Sequence, residues 1–82
     1  MTREHVVEIV KQKAAKALDN FSSDDFDESK TLPQLGIDSL ALVEIIAGST
    51  KELKLKIPRH KFGAVKDVGG LVDLLWDHCI HH

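Results

Sequence analysis

Eighty-two residues with a formal net charge of -2 make one small core, with too little charge to suggest nucleic-acid binding. An apolar share of 43% excludes a disordered chain, and three Phe, one Trp and no Tyr leave the core mainly to Leu, Ile, Val and Ala. The lone cysteine, Cys79, has no internal disulfide partner, which fits a reducing cytoplasm, and no apolar run reaches the length of a signal core or membrane span.

Residues 2–19 read as an amphipathic helix. Val6, Ile9, Val10, Ala14, Ala17 and Leu18 recur at three- and four-residue spacing, with Phe21 just beyond. Thr2 can cap the start, Glu4 and Glu8 occupy the early turns, and Lys11, Lys13 and Lys16 follow, so charge and helix dipole agree. From Asn20 to Asp38 no period survives. Ser, Asp and Thr dominate, and Pro33 discourages a helix through it. So long a connection needs pins, and Phe26, Leu32, Leu35 and Ile37 are the candidates. Gly36 supplies the backbone freedom for a sharp turn into the next element.

Asp38 or Ser39 then caps a helix running to about Leu53. Leu42, Ile45, Ile46, Ser49 and Leu53 share one face, which belongs to the core. Leu40, Val43 and Ala47 form a second stripe roughly 130° away, which either covers a neighbouring loop or meets a partner. Lys54 to Pro58 breaks the helix, with Leu55 or Ile57 able to reach inward, and Arg59 to Ala64 can form one short turn, weakened by Gly63. Asp67 caps a last helix whose inward residues are Val68, Leu71, Val72, Leu75 and Cys79. Gly69 and Gly70 each cost that helix about 1 kcal/mol relative to alanine, so either a neighbour packs closely there or the end is pliable. Helices without strand-like alternation predict an all-α bundle: a single domain over residues 1–80, with His81 and His82 as tag or tail residues.

Charge is segregated along the chain. Asp19, Asp24, Asp25, Asp27 and Glu28 form an acidic stretch without a base, whereas Lys51, Lys54, Lys56, Arg59, Lys61 and Lys66 face one acid, Glu52. These are either two solvated surfaces or, for the basic stretch, a site for an acidic partner or a phosphate.

Catalytic and metal-binding patterns are weak. No histidine stands at a spacing that identifies a base for Ser39, and no glycine-flanked serine elbow is present. His78, Cys79, His81 and His82 crowd the terminus without a second pair of ligands elsewhere, so no metal site is assigned. A helix-turn-helix reader is disfavoured, because the bases lie in a loop while the strongest helix carries Leu, Val and Ile. Position alone makes Ser39 a helix cap, in a place where a phosphate would also be comfortable.

The run Gly36-Ile37-Asp38-Ser39-Leu40 resembles the phosphopantetheine attachment motif of acyl carrier proteins, and the likeness extends beyond it. Leu32 and Leu35 stand where the family has loop hydrophobes, Val43 to Ile46 continue its second helix, and Ile57-Pro58 matches the Ile-Pro before its short third helix. Val65, Val68, Val72 and Leu75 follow at the family's spacing, so the resemblance covers nearly the whole chain to about Trp76.

The resemblance implies a four-helix bundle with a short third helix and a long first loop. It implies a non-catalytic carrier holding acyl groups as thioesters on a 4'-phosphopantetheine arm at Ser39. The arm comes from coenzyme A through a phosphopantetheinyl transferase, and Mg2+ serves only that reaction. It further implies that Asp38 meets the transferase and that Leu40, Val43, Glu44 and Ala47 form the docking surface. The partners implied are the transferase and a ketosynthase, acyltransferase or acyl-activating ligase, with no nucleic acid, no membrane and a monomeric cytoplasmic protein. Ala41, Thr50 and Lys51 stand where carriers of bacterial fatty-acid synthesis place acids, which favours a polyketide or mixed polyketide–peptide pathway. The alternatives are a fatty-acid or aminoacyl carrier, or a carrier-like interaction module without the prosthetic group. Ser49, where the family has a larger residue, and the Gly69-Gly70 pair either leave room for an acyl chain or are neutral packing differences.

Overall fold

A computed structural model describes residues 2–19 and 21–80, with backbone alone for Ser23 and Arg59; the tail residues His81 and His82 lie outside them. Three α-helices, α1 (Arg3–Ala17), α2 (Ser39–Leu53) and α3 (Val68–Ile80), are joined by segments containing three 3-10 helices (Ser23–Asp25, Pro33–Leu35 and Arg59–Ala64). The third of these is the predicted short helix, so the all-α four-helix order holds.

Thr2 caps α1, its hydroxyl accepting from the His5 N–H at 3.2 Å. α1 packs against both α2 and α3. Its buried Val6, Ile9, Val10 and Ala14 are the predicted apolar stripe. Val6, Val10 and Ala14 meet Ala41 and Ile45 of α2 and Val68, Leu71, Val72 and Leu75 of α3 in one core, which Leu32, Ile37 and Phe62 join from the connections. Two core members escape the sequence reading. Ala41 is small and adjoins the motif, and Phe62 sits in a stretch dominated by bases. Cys79 is only half-buried, in the last turn of α3, and burial still pushes its thiol pKa up.

The long connection is held to the start of α3 by backbone as well as by side chains. The Gly69 N–H donates to Glu28 O at 2.9 Å, Val68 N–H to Lys30 O at 3.1 Å and Leu32 N–H to Lys66 O at 3.2 Å, with a β-bridge between Thr31 and Asp67. Asp67 accepts the next two helix amides, Gly70 N–H on its carboxylate at 2.6 Å and Leu71 N–H on its carbonyl at 3.2 Å. The first four N–H groups of α3 are thus all satisfied, two of them by the loop. Arg3 joins α1 to the same place through ion pairs to Glu28 and Asp73, which hold its guanidinium above the usual arginine pKa. This resolves Gly69: a Cβ there would lie 3.1 Å from Glu28 O, so a neighbour does pack closely.

α2 ends where Lys54 takes a left-handed conformation (φ 58°), letting the Leu55 N–H return to Thr50 O at 2.9 Å. Near that end the Lys13 stem crosses Gly48, where a Cβ would lie 3.0 Å from it, and its ammonium reaches Glu52 at 2.9 Å.

Ser49 is fully buried and its hydroxyl finds no hydrogen-bond partner. A buried hydroxyl without a partner costs about 1–3 kcal/mol. Ser49→Ala removes the polar atom and very little volume, and alanine is the better helix former. We expect the urea-unfolding midpoint to rise by the equivalent of about 1 kcal/mol. A fall would mean that the hydroxyl is satisfied in solution.

Candidate functional site

The site is built where the loop turns into α2. Pro33 begins a 3-10 helix that ends at Gly36, whose φ of 79° is the left-handed conformation that glycine adopts without a Cβ penalty. The Gly36 N–H donates to Pro33 O at 3.0 Å and the Ile37 N–H returns to Leu32 O at 3.0 Å. Ile37 is thereby buried in the core while Asp38, Ser39 and Leu40 emerge at the surface.

Asp38 is the N-cap, which settles the choice between it and Ser39. Its carboxylate accepts the Ala41 N–H at 2.8 Å and its carbonyl the Leu42 N–H at 2.9 Å. Ser39 is the first residue of α2, exposed, and no group among the described residues hydrogen-bonds its hydroxyl. The amides of Ser39 and Leu40 also have no protein acceptor among those residues. Free amides beside a hydroxyl, at the positive end of a 15-residue helix, suit a phosphate attached there. The residues present therefore fit a phosphopantetheine group on Ser39.

Ser39 stands on the lip shared by two clefts. One, of about 790 Å³, is lined by residues including Thr31, Leu32, Ile37, Leu42, Val65 and Lys66. The other, of about 440 Å³, lies between α2 and the short helix and is lined by Leu42, Val43, Ile46, Ala47, Phe62 and Gly63. Their walls are predominantly apolar, and Ser49 lines neither, so its small size opens no room beside Ser39.

The second stripe of α2 is on the surface. Leu40 is 69% and Val43 47% exposed, and Glu44 and Ala47 are exposed beside them. The stripe does not cover a neighbouring loop along its full width. Phe62 and Lys66 complete the clefts; Lys66 belongs to the basic stretch read as a candidate site for a phosphate or acidic partner, whereas Phe62 was missed in the sequence. Phe62, four residues after Pro58, is the one aromatic residue of its basic stretch, and that was the available signal.

No histidine among the described residues bonds to Ser39; the His78 ring contacts Leu74 O at 3.1 Å, within its own helix. Among those residues no group of three His, Cys, Asp or Glu lies together to hold a metal, and no helix is long and apolar enough to cross a membrane.

Comparisons with known proteins agree with this geometry. The family model for the phosphopantetheine attachment site matches residues 8–75. The chain is similar to "Polyketide biosynthesis acyl-carrier-protein AcpK" of Bacillus subtilis (strain 168), at 31% identity over 77 residues covering 94% of each chain. It is also similar to "Acyl carrier protein" of Clostridium perfringens (strain SM101 / Type A), at 37% identity over 51 residues, 62% of this chain and 67% of that one. No solved structure matches it. With more than half of its length matched and the relative from Bacillus covered nearly end to end, the chain belongs to the acyl carrier proteins, the family that carries covalently attached 4'-phosphopantetheine.

Proposed function

We propose that this protein is an acyl carrier of polyketide or mixed polyketide–peptide biosynthesis, with its arm on Ser39. The observation that carries the site is the exposed, unengaged Ser39 hydroxyl on the first residue of α2. The pathway is supported by the printed name of the Bacillus relative and by Thr50 and the exposed Lys51 on α2, where acids would suit a fatty-acid carrier; Ala41 is buried in the core, so its lack of charge is a packing requirement and carries no weight here.

In modification, the Ser39 oxygen attacks the pantetheine-bearing phosphorus of coenzyme A's pyrophosphate, the P–O bond to the other phosphate breaks, adenosine 3',5'-bisphosphate leaves, and the serine proton passes to a base on the transferase. The Ser39 and Leu40 amides and the dipole of α2 favour the phosphodiester that results. Asp38 holds the helix start rigid through its cap and offers the transferase its second carboxylate oxygen. The bound group supplies a terminal thiol on which acyl groups are held as thioesters. Leu40, Val43, Glu44 and Ala47 then form the surface on which a ketosynthase, acyltransferase or acyl-activating ligase docks. The carrier domain spans residues 1–80 of a monomeric cytoplasmic protein whose chemistry is done by those partners.

Incubation with coenzyme A, Mg2+ and a broad-specificity transferase is expected to add one phosphopantetheine by intact mass, and Ser39→Ala to add none. Addition that survives Ser39→Ala would refute the site, and no addition to the wild type would favour a docking module.

The two roles of Asp38 separate by substitution. Asp38→Asn keeps an oxygen for the Ala41 amide, so thermal unfolding should change little while modification slows by about tenfold or more, the loss of one charge-assisted contact. Asp38→Ala should in addition lose about 1 kcal/mol of stability. Equal modification rates for wild type and Asn variant would leave Asp38 a cap only.

Val43 is 47% exposed, so Val43→Asp should preserve the helical circular-dichroism signal while slowing acyl transfer by about tenfold or more, as for an anchor at the centre of an interface. Wild-type rates with every cognate enzyme would remove the docking role.

A further inference from the structure

At about 100° per residue, Leu40, Val43, Glu44, Ala47 and Lys51 fall within one arc of α2 about 100° wide. The apolar strip that starts beside Ser39 therefore runs into Lys51 on the same face, and Lys54 follows at the C-cap of the helix. Across the α2 cleft, Lys61 adjoins Phe62 and Gly63 of its wall, and Lys66 lines the neighbouring cleft with Ser39. Lys51, Lys54, Lys56, Lys61 and Lys66 are all exposed, and none has an ion-pair partner among the described residues. The one acid of that stretch, Glu52, lies outside this arc by rotation and pairs with Lys13 at 2.9 Å. On the other side of the motif the charge is opposite, since the cleft reaching Gly36 is lined by Asp19 and Asp25 together with Lys30.

We propose that the lysines around the apolar strip form a rim that docks an enzyme surface bearing carboxylates around an apolar patch. The inference deepens the docking role proposed above and rests on attachment at Ser39. An apolar centre within a charged rim is the anatomy of a protein interface. A nucleic-acid duplex or anionic bilayer presents uniform phosphate charge. Glu44 at the middle of the face and the acidic loop would oppose it, and the exposed Leu40 and Val43 would gain nothing on it. Opposite charges raise encounter rates by about 10–1000-fold and fix orientation, and the lysine side chains lie where they would turn a partner's active-site mouth towards Ser39.

The test uses the protein loaded at Ser39 with a chloroacetyl pantetheine probe. The probe's methylene carbon bonds to the active-site cysteine sulfur of a docked ketosynthase as chloride leaves and the thiol proton passes to solvent. Cross-linking is followed in soluble extract of the producing organism, with the trapped enzyme identified by mass. Its initial rate should fall by at least about tenfold from low salt to about 0.3 M, and by a similar factor at low salt for Lys51→Glu/Lys61→Glu. The neutral pair Lys51→Gln/Lys61→Gln should fall between, and Lys16→Glu on α1 should match the wild type; thermal melts check that each variant folds. Trapping that is unchanged or accelerated by the substitutions, or no trapped enzyme at all, overturns the acidic partner. Retention of the wild-type protein, but not the double variant, on duplex DNA or phosphatidylglycerol vesicles at physiological salt would reassign the rim to polyanions and likewise overturn it. Failure of Ser39 to accept the probe is a different result and refutes the attachment.

Discussion

The constraint on which the rest depends is the backbone tie between the long connection and the start of α3. Three N–H to carbonyl bonds, between Glu28 and Gly69, Lys30 and Val68, and Lys66 and Leu32, convert some twenty aperiodic residues into a fixed strap. Each is worth only about 1 kcal/mol net, but each satisfies a donor or acceptor that would otherwise be lost at a helix end or a buried turn. Once Leu32 is held beside Lys66, the turn through Pro33 and Gly36 can place Ile37 in the core, and the chain is aimed so that α2 opens at the surface with Ser39 first. The accessible hydroxyl is therefore a long-range product of α3 packing as much as of the local motif. Glycine at position 69 belongs to the same device, because a side chain there would push the strap away from the helix it caps.

The helical part of this was legible. Three-residue and four-residue spacing found the buried faces of α1 and α3 almost completely, since burial in a small bundle follows helical period directly. The two faces of α2 were legible too, because Leu40, Val43 and Ala47 stand apart from Ile45 and Ser49 by simple rotation. Ala41 was not, since a small residue beside a motif carries little apolar signal although it is 7% exposed. The strap was not legible either. Backbone hydrogen bonds leave no mark in side-chain types, and the side-chain pins Leu32 and Ile37 were recoverable only because they are apolar in a polar setting. Among the cleft residues, Phe62 and Lys66 are brought to Ser39 by the packing of the short helix, which depends on contacts between segments about twenty-five residues apart in sequence.

The motif residues divide their work by atom. One carboxylate oxygen of Asp38 accepts the Ala41 amide, while the amides of Ser39 and Leu40 have no acceptor among the described residues. A serine at the cap would have used its own hydroxyl for that bond, so the order Asp then Ser keeps the nucleophile unencumbered. The same order explains why reading Ser39 as a cap was reasonable from position and wrong in geometry. An acidic residue one place earlier takes the capping role, and serine moves to the first helical turn, where the dipole is strongest.

The charge pattern acquires meaning only in three dimensions. Counted along the chain, the basic stretch contains Glu52 and looks partly compensated. In the fold the Glu52 carboxylate of α2 is neutralised by Lys13 of α1, whose stem crosses Gly48, so Glu44 is the one acid of the α2 face left without an ion-pair partner among the described residues. A larger residue at position 48 would displace the lysine stem, release Glu52 and weaken the rim without touching any residue that a partner meets. Surface ion pairs of this kind add little stability, about 0–1 kcal/mol. Its effect is therefore better read as setting the sign of the field beside Ser39, which decides what kind of enzyme surface can approach.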